Sequence, residues 1–174
     1  MFNKAITKAK YLAVFIKVGV LMSTTKARIN EVVLPKTTPC GYPVKSLDGV
    51  VDKNLLIASA VGTGVDKGTA FPDDENTVFF TSAMASLGED LVTGTLLHEE
   101  GHIARKLFPS SGMSMDEYEQ AADKYMLEKA TTAQVMAFTA YLEYTMTHAL
   151  NSGETHSYFH LEGRVSLLKA HLGM

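Results

Sequence analysis

The chain has 174 residues, 46% of them hydrophobic and 20% charged, with a formal net charge of −3. That length suits one domain spanning 1–174, and the apolar and aromatic content excludes a disordered chain. So small a net charge gives no electrostatic basis for nucleic-acid binding, and a single cysteine excludes a disulfide framework or a C-x-x-C zinc or redox site.

Residues 1–22 read as one helix carrying Lys4, Lys8, Lys10 and Lys17 between apolar runs. The uninterrupted apolar part is shorter than the ~20 residues that cross a bilayer. A basic start before an apolar run also resembles a secretory signal, but Lys17 interrupts the run and no A-x-A-like site follows Met22. The expectation is an ordinary amphipathic helix, with a signal or membrane-surface segment as the alternative. Residues 28–36 and 54–61 read as strands, 37–43 as a Pro/Gly turn, and 62–74 as a loop or hairpin. Residues 77–82, TVFFTS, are β-branched and aromatic and predict a strand.

From Ser86 onward the pattern turns helical. Ser86 and Glu89 form an S-x-x-E capping box that predicts a helix from Leu87 or Gly88, ended by Pro109. Ser114 and Glu117 predict a second helix to about Ala130, and Thr131 and Gln134 a third to about Leu150. A last helix is expected over 159–172. Strands early and helices late predict an α+β fold.

Within the Ser86 helix lies His98-Glu99-Glu100-Gly101-His102, an H-E-x-x-H pattern. Residues four apart on a helix share a face, so both imidazoles can grip one Zn²⁺ at ~2.0–2.1 Å. Glu99 beside them can serve as general base toward a metal-activated water. Chance expectation for the pattern in a chain of this composition is roughly 1%, which makes coincidence a poor explanation. The apolar neighbours Leu96, Leu97 and Ile103 predict a buried helix, and buried His and Glu need partners that a metal supplies. A catalytic zinc takes a third protein ligand and keeps one position open. The following helix offers Glu119-x-x-Ala122-Asp123, with Glu119 able to ligate and Asp123 able to accept a hydrogen bond from a ligand imidazole.

The segment 77–105, followed by Glu119-x-x-Ala122-Asp123, resembles the gluzincin metallopeptidases. It is most similar to the HtpX-type and CAAX-prenyl-protease-type enzymes and to the short minigluzincins. The resemblance implies a zincin-like fold with a small mixed sheet over the active-site helix and a helical C-terminal half. It implies one Zn²⁺ held by His98, His102 and Glu119, with Glu99 as general base and Asp123 behind His98. It also implies that 77–82 is an edge strand pairing with an extended peptide or protein substrate. Family members often end on a Thr-His-Pro…Arg segment. Thr155-His156-Ser157 and Arg164 stand in its place here, so His156 and Arg164 are candidates for steadying the tetrahedral oxyanion. His160, one turn before Arg164, is the alternative, while His148 and His171 read as ordinary polar residues.

Pro39-Cys40-Gly41-Tyr42-Pro43 resembles the cysteine switch of matrix metalloproteinase pro-segments, in which a thiolate fills the open zinc position. The motif's Arg and Asp are missing, and a Pro/Gly turn accounts for the same residues. The leading expectation is a cytoplasmic zinc endopeptidase, with secretion or membrane association tied to the fate of 1–22. A closed structural zinc with a fourth ligand from Cys40, Asp123 or a C-terminal His is the non-enzymatic alternative. Repressor-cleaving peptidases of the ImmA/IrrE kind favour E-x-x-A-N, where this chain has Asp123.

Overall fold

The computed structural model describes residues 4–23, 33–47, 70–72, 76–105, 112–153 and 155–174, with backbone alone for 23, 70–72, 152 and 155–160. In chain order the elements are α1 (Lys4–Ser23), β1 (Val44–Ser46), β2 (Ala70–Pro72), β3 (Val78–Phe80), α2 (Ser82–Ala85), α3 (Glu89–Ala104), α4 (Met115–Lys129), α5 (Thr132–Ser152) and α6 (Thr155–His171). The class is α+β, mostly helical with one small mixed sheet.

The sheet has the order β1-β3-β2. β1 runs parallel to β3, with Val44 opposite Val78 and Ser46 opposite Phe80. β2 runs antiparallel, with Ala70 opposite Phe80 and Pro72 opposite Val78. The strand expected within 77–82 is therefore present, but its expected place at the sheet edge is wrong. β3 is central, with a neighbour on each side. Its composition explains this. Val78 and Phe80 are fully buried, and β-branched and aromatic residues suit a doubly flanked strand. β2 ends on Pro72, which has no N–H to offer a further neighbour and fits an edge. β2 lies within the stretch 62–74 expected as a loop or hairpin, and its antiparallel partner, β3, lies beyond that stretch. Of the strand expected over 28–36, residues 33–36 are irregular and the rest lies outside the described residues, as do 54–61 and 62–69. The turn at 37–43 is closed by the Thr38 N–H donating to the Tyr42 carbonyl at 2.8 Å.

The Ser86–Glu89 capping box does not form. Thr81 instead caps α2, its hydroxyl accepting from the Met84 N–H at 3.2 Å, and Ser86 closes that short helix by donating to the Ala83 carbonyl. The chain then turns at Gly88, whose φ of 102° is open to glycine, and α3 starts at Glu89 without a side-chain cap. The other two boxes form in full, Ser114 with Glu117 and Thr131 with Gln134. α5 runs to Ser152, just past the expected end, and stops at Gly153 in the left-handed region. α6 begins at Thr155, four residues before the expected start.

α3 packs against α4, α5 and β2. Leu91, Leu96, Leu97 and Ile103 supply its apolar face. α1 lies on α5, burying Tyr11 and Val18. The Tyr11 hydroxyl donates to Glu143 at 2.5 Å, and Lys169 donates to the same carboxylate at 2.6 Å, tying α1, α5 and α6 together. Among the described residues, no helix is long and apolar enough to cross a membrane.

Candidate metal centre

α3 and α4 cross at an unusually close point. A Cβ added at Gly101 would lie 2.8 Å from the Ala122 Cα and 2.9 Å from its carbonyl oxygen. Glycine facing alanine lets the two backbones approach. The crossing stands between His98 and His102 on one helix and Glu119 and Asp123 on the other, so all four side chains meet.

The meeting is tight. The Nε2 atoms of His98 and His102 are 3.2 Å apart. Glu119 places Oε2 3.2 Å from the His98 Nε2 and Oε1 3.7 Å from the His102 Nε2. A tetrahedral ion with ligands at ~2.0–2.1 Å has ligand–ligand edges of about 3.3–3.4 Å; taken one atom per residue, the donors lie within 4.8 Å of one another. The three donors thus form a group able to hold a metal ion, with both histidines buried and Glu119 partly exposed. Two imidazole nitrogens aimed at each other with a carboxylate across from them suit a cation that all three can share.

Other side chains fix the donors. His98 sets Nδ1 2.8 Å from the Asp123 carboxylate, which is fully buried. That contact orients the ring and leaves Nε2 for the metal. Arg164, from α6, is buried and fastens both acids. Its Nε and Nη2 each donate to Asp123 at 2.8 Å, and its Nη1 stands 2.7 Å from Glu119. Its Nη2 also lies 3.3 and 3.4 Å from the two nitrogens of His98. Sequence reasoning aimed Arg164 at a reacting oxyanion. In the structure its guanidinium is paired with Asp123 and Glu119. His102 is steadied by the Tyr118 ring, stacked at a centroid distance of 4.0 Å, and its Nδ1 finds no hydrogen-bond partner among the described residues. Phe138 of α5 lies against the His98 ring at 5.3 Å.

Without a metal, these groups perturb one another strongly. Burial and Arg164 push the His98 imidazolium down, but Asp123 and Glu119 outweigh them and carry it up to about 9. Burial and the charge on His98 push His102 down to about 3. Burial lifts Glu99 up to about 8. Glu119 and Asp123 are held well below the usual carboxylate range: burial opposes this, and the Arg164 guanidinium is the largest force overcoming it. The buried cluster is one electrostatic unit.

Of the residues singled out from sequence, His98, Glu99, His102, Glu119, Asp123 and Arg164 all belong to this unit. His156 and His160 fall in the first turns of α6, with side chains outside the described residues. His148 and His171 are exposed. Cys40 is not among the donors. Its sulfur stands 3.7 Å from the Tyr125 hydroxyl and accepts from Lys129 at 3.5 Å. Its backbone N–H donates to the buried Glu100 at 2.6 Å, which pins the 37–43 turn to the metal helix. Sequence reasoning missed Gly101, Tyr118, Phe138 and Glu100. Only Gly101 carried a signal, a helix-weakening residue inside a functional motif. Comparison with known protein families, with curated proteins and with solved structures finds no match to this chain.

Proposed function

We propose that this chain is a zinc-dependent endopeptidase of the gluzincin kind, holding one Zn²⁺ on His98, His102 and Glu119. The observation that carries the reading is the convergence of one donor atom from each of the three residues, all within 4.8 Å of one another, beside buried Glu99. Two imidazole donors favour zinc over magnesium or calcium, which prefer oxygen. When bound, the ion supplies Lewis acidity toward a peptide carbonyl and a water. Glu99 takes the proton of that water and returns it to the leaving amine. Burial raises the Glu99 carboxyl to about 8 in the metal-free protein, which makes its ionised form a stronger base than an exposed carboxylate. Asp123 keeps His98 in the ligating orientation, and Arg164 holds Asp123 and Glu119 in register. Arg164 is then a positioning residue, with Nε and Nη2 engaged by Asp123 and Nη1 by Glu119. With β3 central, the sheet edge beside α3 among the described residues is that of β2, and we place an extended peptide there. A reducing cytoplasm fits the lone free thiol of Cys40.

A closed structural zinc needs four protein donors. The donor group among the described residues has three, and Cys40 is engaged by Tyr125 and Lys129. The test is metal analysis and casein cleavage on purified protein, wild type beside Glu99→Gln. The wild type binds one zinc and cleaves, and the variant keeps the zinc and loses ~10²–10⁴-fold in turnover. Wild-type protein that takes up no zinc, or a variant that cleaves as well as wild type, refutes the assignment.

A further inference from the structure

α1 has two apolar faces, and among the described residues the fold buries one. Thr7, Tyr11 and Val18 are buried on the side toward α5. At 100° per residue, the opposite side carries Ile6, Ala9, Leu12, Ala13, Ile16 and Val20. All six are exposed, and the four large ones are more than half exposed. A contiguous exposed stripe of large aliphatic residues marks an interaction surface. Its borders are basic. Lys8 stands along one side and Lys10 and Lys17 along the other, all exposed, and α1 contains four lysines and no acidic residue. The orientation is fixed, because Tyr11 is tied to Glu143, which Lys169 also holds.

We propose that this stripe is a membrane-surface contact, by which α1 lies in the headgroup region of an anionic lipid bilayer. An aliphatic stripe seated in the acyl boundary and bordered by lysines matches negative headgroups on both sides. Pairing with a second copy is the poorer fit, since it would set lysine borders against lysine borders with no acid on the helix to offset them. Crossing the bilayer is not the mode: α1 is 20 residues long, but Lys8, Lys10 and Lys17 lie within its apolar stretch, and no described helix qualifies as a membrane span. The inference stands independently of the metal centre.

The test is sedimentation of the full chain with vesicles of phosphatidylcholine alone and of equimolar phosphatidylcholine and phosphatidylserine. Binding is expected to the mixed vesicles, at least about tenfold weaker to phosphatidylcholine alone, and to weaken with added salt. The double variant Leu12→Asp, Ile16→Asp, altered only at exposed positions, loses about tenfold or more in partitioning with an unchanged thermal melt. Lys10→Glu with Lys17→Glu loses a similar factor, on the mixed vesicles only. Wild-type protein that stays in the supernatant with both vesicles overturns the proposal. So does a Leu12→Asp, Ile16→Asp variant that binds as well as wild type. A wild-type dimer in light scattering that this variant breaks, with no vesicle binding, assigns the stripe to a second copy and overturns it too.

Discussion

Replacing Gly101 with alanine tests the close crossing on which the metal centre depends. The new Cβ would sit 2.8 Å from the Ala122 Cα, 2.9 Å from its carbonyl oxygen and 3.1 Å from the Tyr125 Cβ. The first two are backbone atoms, so no rotamer change relieves them. Regaining an ordinary contact of about 3.4 Å requires the helices to part by about 0.6 Å. Alanine gains ~1 kcal/mol of helix propensity over glycine, and overpacking of this kind costs ~1–3 kcal/mol. The net effect on fold stability is therefore a loss of at most ~2 kcal/mol. The effect on the metal is larger in proportion. Metal sites tolerate ligand displacements of about 0.2 Å, while Glu119 and Asp123 flank Ala122 and move with it. Zinc affinity should fall by at least about tenfold, read by competition with a chromogenic chelator, with urea unfolding of the metal-free protein alongside. Gly94→Ala is the control. Its Cβ would meet the Gln134 carbonyl oxygen of α5 at 3.1 Å, away from the carboxylate ligand. The reasoning is refuted if Gly101→Ala binds zinc as tightly as wild type, or if Gly94→Ala harms affinity more.

Asp123→Asn leaves the shape of the side chain and removes the charge that faces His98 Nδ1 and Arg164; zinc affinity should drop ~10–100-fold, and unchanged affinity would show that His98 needs no such partner. Arg164→Gln separates the two roles considered for that residue: a positioning residue loses metal affinity and thermal stability together, whereas an oxyanion contact lowers kcat with zinc content intact. Metal uptake should also release protons. His98, raised to about 9, and Glu99, raised to about 8, both hold a proton at neutral pH without metal. An ion must displace the His98 proton, and its charge favours loss of the Glu99 proton, so affinity rises with pH up to about 9 and calorimetric heats follow the buffer's ionisation enthalpy. Heats independent of the buffer, with an affinity flat from neutrality upward, would contradict that order of events.

How far the sequence could be read follows from the range of each signal. The capping boxes at Ser114 and Thr131 are local, three residues wide, and both form as expected. The box at Ser86 is equally local but met a competitor. Thr81 caps a helix of its own just before it, and Gly88 supplies a turn that needs no cap. H-E-x-x-H is legible because two ligands and a carboxylate sit within one turn of one helix. Glu119 and Asp123 are legible because they too lie one turn apart. What could not be read is which residues meet across elements. The central place of β3 depends on β1 and β2, three-residue strands too short for a period-two pattern to register. Arg164 reaches the ligands from α6, and nothing in its neighbours distinguishes a guanidinium turned toward a carboxylate from one turned toward solvent.

The charges at the centre explain why an arginine is buried there at all. Two ionised carboxylates, Glu119 and Asp123, lie within one buried cluster with both histidines, and isolated they would repel each other and resist desolvation. Arg164 offsets one of those charges permanently, and the proton on His98 offsets the other in the metal-free protein. Glu99, lifted by burial, stays neutral. A divalent ion bound there would bring two positive charges, offset by loss of the His98 proton and by ionisation of Glu99. The site therefore keeps its charge balance through the exchange. Without the guanidinium, the metal-free cluster would hold a surplus negative charge and would have to take up another proton to fold. The bidentate grip of Arg164 on Asp123 is thus part of what lets two carboxylates and two imidazoles stand this close together in the metal-free protein.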